Sequence, residues 1–171
     1  MIDLNEEDDP LDNLEDLFED LSVDQPTGVQ LYKMYGIFLR DFIYNPIHIN
    51  SIEVKVNINK SKNPLCKGKM LTFEHIITRD NKYKGKRDFD HQRANKLHWI
   101  KKIVMNANDV RIKYFNRLNH KGLKQHFYWY EEKGFIVIVR ELEKDLLLIT
   151  AFCVDEMNKS QYKKYYNTYR K

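Results

Sequence analysis

Cysteine is nearly absent from this 171-residue chain: Cys66 and Cys153 are its only two, with no Cys-x-x-Cys and no Cys/His pairing at ligand spacing. That excludes a disulfide framework and a structural zinc site, and it suits a reducing cytoplasm. Long apolar runs are also missing. No stretch approaches the roughly 18 to 20 residues that a membrane helix needs. The N-terminus has neither the basic n-region nor the apolar h-region of a signal peptide, so neither membrane nor export is expected. The phosphate-binding GxxxxGK[ST] pattern, the dinucleotide GxGxxG pattern and the zinc-hydrolase HExxH pattern are all absent, as is any repeat at a period of 20 to 50 residues. The most consequential gap is in charge: none of the first 25 residues is Lys or Arg.

Those 25 residues hold eleven Asp or Glu, whereas the remaining 146 hold 29 Lys and Arg against 14 Asp and Glu. The net charge of +4 therefore conceals a tail of −11 attached to a body of +15. A body with that excess attracts polyanions, and nucleic acid is the first partner to expect. The tail either occupies the same surface, competing at high effective concentration, or is a disordered solubilising segment. The 22 aromatic residues, eleven of them Tyr, exceed what a disordered chain carries, so the basic part is expected to fold. Its length suits one domain.

The periodicities predict an α+β fold: helices packed on a four-stranded antiparallel sheet, preceded by the disordered acidic tail. Residues 1–27 are tail and linker, 28–155 the domain, and 156–171 a basic, Tyr-rich arm. In the tail, Leu11, Leu14, Leu17, Phe18 and Leu21 fall on one side of a short helix, which has the form of a docking peptide with Leu14, Leu17, Phe18 and Leu21 as anchors. Leu31, Met34, Tyr35, Phe38, Leu39 and Phe42 mark a helix over 29–44 that ends near Asn45-Pro46. Ile52, Val54, Val56 and Ile58 alternate as in a half-buried extended segment. Residues 71–78 are ambiguous, and 79–88 read as a basic loop around Gly85. Asp90 caps a second helix that runs to Val104. Strand-like stretches at 110–118, 126–131, 135–142 and 146–154, separated by turn residues, complete the sheet.

His75, Arg79 and Arg93 stand out chemically. Metal-independent RNA cleavage needs a base for the ribose 2′-hydroxyl, an acid for the leaving oxygen and cations on the phosphate. His suits the proton transfers and Arg the phosphate. His75 and Arg79 lie four apart and are expected to share a side. The competing reading of His75 is a core histidine, and of Arg93 a tie between helix and sheet. His91 and His98 share a helix face but have no third ligand at metal spacing. An HNH arrangement is contradicted by His98 following Asn95 too closely. No metal or other cofactor is expected.

The order FEHIITRD, a basic loop, FDHQRANKLHWIKKIVMN, and then strands ending in FYWYEEKGFIVIVRE and LLLITAFCVDE resembles the phage-type nucleases of the barnase, EndoU, colicin and RelE-like (BECR) superfamily. The resemblance covers roughly residues 50–155. It implies a small hydrolase-like ribonuclease, toxin or toxin-like, that cuts RNA, with tRNA a leading substrate, and leaves 2′,3′-cyclic phosphate ends. Such a toxin implies an immunity or antitoxin partner. The resemblance makes His75 the acid/base residue, Arg79 and Arg93 phosphate ligands, and Thr150 a polar group in the same cleft. Lys86 and Arg87 then hold the RNA backbone, and Tyr128 or Tyr130 stacks a base. His126 is the nearest candidate for a second acid/base group. The competing function is a non-catalytic RNA-binding module, or a factor that docks on a partner through its acidic leucine-striped peptide.

Overall fold

The computed structural model describes residues 8–170. Thr27 opens the first helix, α1 (Gly28–Leu39), with a reciprocal cap in which its hydroxyl accepts from the Gln30 amide at 3.1 Å while the Gln30 side chain accepts from the Thr27 amide at 2.9 Å. Met34 and Phe38 point from α1 into the core. A π-helical turn, Arg40–Tyr44, continues it, and Pro46 prevents further extension. A short hairpin follows, β1 (His48–Ile49) and β2 (Ile52–Lys55), whose two turn residues Asn50 and Ser51 both have positive φ, as a type I′ turn requires.

The ambiguous stretch is helix α2 (Leu71–Ile77), and the expected basic loop is a hairpin of β3 (Thr78–Asn81) and β4 (Lys86–Phe89). The second expected helix is split into α3 (His91–Ala94) and α4 (Trp99–Met105), with Asp90 capping the first through the Arg93 amide. Then come β5 (Ile112–Leu118), β6 (Lys124–Tyr130), β7 (Phe135–Glu141), β8 (Leu146–Cys153) and a last helix, α5 (Glu156–Tyr169).

The fold is α+β, but the sheet is not the four-stranded antiparallel one expected. It has six strands in the order β1-β2-β8-β7-β6-β5, and β2 joins β8 in parallel. The four expected strands form its antiparallel core; the added hairpin is too short for its alternation to announce sheet membership. One face carries Val137, Val139, Leu148 and Ala151 against α1, α2 and α4, where Phe73, Ile76, Trp99 and Ile103 are buried. The opposite face carries Phe115, Phe127, Trp129, Ile136 and Ile138, partly covered by Tyr162, Tyr165 and Tyr166 of α5. The C-terminal segment expected as an arm is thus a helix seated on the sheet.

Over its described residues, the acidic tail is neither disordered nor helical. Leu11 and Leu14 are buried in the main core, with Leu17, Phe18 and Leu21 packed against it. Its backbone polar groups are satisfied by the body instead of by a helical ladder. The Asn95 side chain accepts from the Phe18 amide at 2.8 Å and donates to the Phe18 carbonyl at 2.9 Å, and Trp99 Nε1 donates to the Glu15 carbonyl at 2.9 Å. Arg111 meets Asp9 at 2.5 Å and Asp12 at 2.7 Å, while Lys96 meets Asp16 at 2.8 Å. The expected docking anchors Leu14, Leu17, Phe18 and Leu21 are therefore engaged within this chain, because they complete a core that residues 28–155 leave open.

Candidate functional site

Helix α2 is held against the free edge of β8 beyond the point where β2 stops pairing. Phe73, Ile76 and Ile77 face the core, which leaves His75 half-buried on the outer side. The helix ends at Ile77 and its last carbonyls are claimed by arginines. Arg93 Nη1 donates to the Thr78 carbonyl at 2.7 Å and to the His75 carbonyl at 3.3 Å. The Thr150 hydroxyl donates to the same His75 carbonyl at 3.2 Å. Arg87 donates through Nη2 to the Thr78 carbonyl at 2.9 Å and through Nε to the Thr78 hydroxyl at 2.8 Å.

Thr150 reaches this position through a β-bulge. Val139 pairs with Leu148 and Ile138 with Thr150, so Ile149 is an extra residue on β8. Leu148 faces the helical core, and without the bulge Thr150, two residues on, would face it too. With it, Thr150 shares the other sheet face with Ile138 and Phe152. The Arg93 guanidinium lies 5.7 Å from the Phe152 ring centroid on that face. Alternation along β7 adds Arg140, two residues beyond Ile138.

The electrostatics favour a neutral histidine. Burial first, then the positive fields of Arg87 and Arg93, outweigh Glu74 and Asp80 and lower the His75 pKa. Its ring makes no hydrogen bond among the described residues, so a ring nitrogen is available to accept a proton. Arg93 has only 13% of its side chain exposed, and its Nε has no hydrogen-bond partner, although it sits 3.4 Å from Asp90 Oδ2. Arg140 Nε is likewise buried and unpartnered. Both Nε atoms are closed to solvent, so an anion would meet either guanidinium only through the part of it that stays exposed.

No family model, curated protein or solved structure matches the chain. The site therefore stands on its geometry alone.

His75, Arg93 and Thr150 are brought together. Arg79 is exposed on β3 opposite Asp88 and touches the group only through its field, which acts on Arg93. The spacing of four did not put it beside His75, because helix turns to strand at Thr78. Arg87 spends its donors on Thr78 and on Asp80 at 2.7 Å, so it braces the site and is not a free phosphate ligand. Lys86 lines a cleft of about 990 Å³ with Lys60, Lys62 and the segment Asp24–Gly28. Tyr128 and Tyr130 are 3% and 2% exposed, so neither offers a free ring face to a base. They alternate onto the inner face of β6. Burial also raises the Tyr128 pKa.

Sequence reading missed Arg140, whose signal was its even spacing from Ile136 and Ile138. It also missed Ser61 and Glu74, a buried pair in which the serine hydroxyl donates to the carboxylate at 2.5 Å. Among the described residues, no three His, Cys, Asp or Glu side chains form a metal-sized group, and no helix is long and apolar enough to cross a membrane.

Proposed function

We propose that the protein is a metal-independent endoribonuclease of the BECR-like kind, with His75 as general base and Arg93 as the phosphate ligand. The observation that carries this is the placement of a half-buried imidazole, with its pKa lowered, on the helix whose last carbonyls Arg93 holds, within the field of that guanidinium. In the reaction, His75 takes the proton of the ribose 2′-hydroxyl and the 2′-oxygen bonds to phosphorus. The P–O5′ bond breaks and the 5′-oxygen takes its proton from solvent. Arg93 stabilises the charge gathering on the phosphate, and Arg140 extends the cationic wall. Thr150 holds α2 at the correct distance from β8. The products are a 2′,3′-cyclic phosphate and a 5′-hydroxyl. Lys60, Lys62 and Lys86 supply a basic cleft for the flanking backbone, and cytoplasmic tRNA is the first substrate to offer. A toxin of this kind would be held in check by a separate inhibitor protein.

The test is incubation of the full chain and its His75→Ala variant with total tRNA in EDTA, with fragment ends mapped. Cleavage by the first alone, leaving cyclic ends, supports the reading. Equal cleavage by both removes His75 from the reaction. Intact tRNA with both, but retained binding, favours a non-catalytic RNA-binding module, which the same lysine-lined cleft would serve. Docking on another protein through the acidic leucines is disfavoured, since those side chains are packed in this chain's own core.

A further inference from the structure

On the inner face of the sheet, at the end away from His75, three side chains from three strands form a continuous relay. The Tyr114 hydroxyl lies 2.6 Å from His126 Nδ1, and His126 Nε2 lies 3.0 Å from Glu141 Oε2. The register makes this possible: His126 faces Asn116 across β5–β6 and Val139 across β6–β7, so Tyr114 and Glu141 are its diagonal neighbours. The relay lines a pocket of about 390 Å³, roofed by the β1–β2 turn and the segment Glu141–Leu146.

The chemistry assigns the protons. Ionised Glu141 can only accept, so Nε2 of His126 carries a hydrogen and donates to it. Glu141 is held in its ionised form by His126 and by Lys124, which lowers its pKa. In the neutral ring Nδ1 is then a lone pair, and the Tyr114 hydroxyl donates to it. Asn116 Nδ2 donates to the Tyr114 oxygen at 3.2 Å, where it would stabilise a phenolate. This is the order of parts of a base-activated nucleophile: an orienting carboxylate, an imidazole base and a hydroxyl.

We propose that Tyr114 is a base-activated phenol and that this pocket is a second reactive site, taking a small, uncharged carboxylic ester. The lining carries Glu141, Glu143 and Asp145 against Lys124 and Lys144, a balance that disfavours a polyanion, while Ile49, Ile52 and Leu146 offer apolar wall. In the step, the phenolic proton passes to His126 Nδ1 and the phenolate oxygen bonds to the acyl carbon. The ester C–O bond breaks, and the leaving oxygen takes the proton from His126. Water then cleaves the aryl ester by the same route, releasing the carboxylic acid and restoring the phenol. The site is independent of His75.

The probe is p-nitrophenyl acetate on the full chain, with acetyl groups located by peptide mass spectrometry. Tyr32 and Tyr83, which are both strongly exposed, serve as internal references for an ordinary phenol. Tyr114 should be acetylated at least about tenfold faster than either, within the range that a positioned base contributes. His126→Gln and Glu141→Gln should bring Tyr114 down to the reference rate, and Tyr114→Phe should abolish the acetyl at that position while leaving RNA cleavage unchanged. Circular dichroism checks that each variant is folded. Should His126→Gln unfold, Glu141→Gln, at the solvent-exposed end of the relay, decides alone. Acetylation of Tyr114 no faster than Tyr32 in the unaltered protein, or unaffected by Glu141→Gln, would overturn the proposal and leave a structural hydrogen-bond network.

Discussion

Arg93 holds the last turn of the helix that carries His75: its Nη1 donates to the His75 carbonyl at 3.3 Å and to the Thr78 carbonyl at 2.7 Å. The same guanidinium is the proposed phosphate ligand, so on that proposal one side chain both builds the site and works in it. Arg93→Lys keeps the charge but loses the fork. We expect a loss of about 1.5–3 kcal/mol in chemical denaturation, because buried carbonyls lose charge-assisted partners. RNA cleavage should fall by roughly 10²–10³, as for removal of a single transition-state donor. Unchanged cleavage with reduced stability would leave Arg93 only its bracing role.

Acid should destabilise the fold through His75. Its folded pKa lies below the ordinary 6.5, so below about pH 6.5 the unfolded chain binds a proton that the folded one resists. Stability is therefore full above that pH and falls as pH drops toward the lowered value. His98, also lowered by burial, adds a second contribution of the same sign. Denaturation midpoints for His75→Gln should show a shallower loss between pH 7 and the lowered pKa than the parent protein. An identical slope would mean that the His75 ring is solvated. On the proposed mechanism RNA cleavage needs the neutral ring, and it should persist to a pH below the usual histidine range.

Removing the acidic tail should weaken the protein, not unleash it. Leu11 is fully buried and Leu14 nearly so. Leu11→Ala should cost about 2–5 kcal/mol, as cavity-forming changes do. Asp12→Asn or Asp16→Asn, which break exposed ion pairs to Arg111 and Lys96, should cost about 0–1 kcal/mol each. Thermal melts of these variants separate apolar seating from charge. Larger losses for the aspartates than for the leucine would reverse the order.

Ser61→Ala tests the buried carboxylate beneath the lysine-lined cleft. Glu74 keeps only a distant ion pair with Arg87, at 3.9 Å, once the serine hydroxyl is gone. The expected cost is about 1–3 kcal/mol, read from urea denaturation. A smaller effect would mean that water replaces the hydroxyl.

Lys86→Ala should reduce RNA affinity without affecting fold, since the side chain is exposed at the start of β4. The slope of log affinity against log salt should flatten by about 0.7–0.9, the share of one phosphate contact. Arg140→Gln should lower cleavage more than binding, if it acts at the reacting phosphate.

Sequence pattern revealed the elements with strong periodicity: α1 from Met34 and Phe38, and the four long strands from their turn residues. It did not reveal the parallel pairing of β2 with β8, because Val54 and Lys55 carry no mark of their partner. The tail was misjudged for a physical reason. Its leucine spacing fits a helix, but Asn95 and Trp99 offer its backbone better partners than its own next turn. For the site, residue type picked out His75, Arg93 and Thr150, yet the contacts run largely through backbone carbonyls that sequence does not display. The bulge at Ile149, which turns Thr150 to the working face, had no signature at all. Tyr128 and Tyr130 looked like stacking platforms by type and are core by alternation.

The strand β8 sits between β2 and β7, near the C-terminal end of the chain. During synthesis β2 can pair at once with β1, but its parallel partner, the Leu146–Leu147 stretch of β8, emerges far later. Pairings so distant along the chain close slowly, at a loop-entropy cost borne before any contact repays it. The leucines of the leading segment meet Trp99 early, but the wall of the core formed by Leu148 and Ala151 arrives last. Commitment to the folded state therefore waits for β8, and the grouping of His75, Arg93 and Thr150 cannot assemble on a nascent chain that has not yet reached that strand.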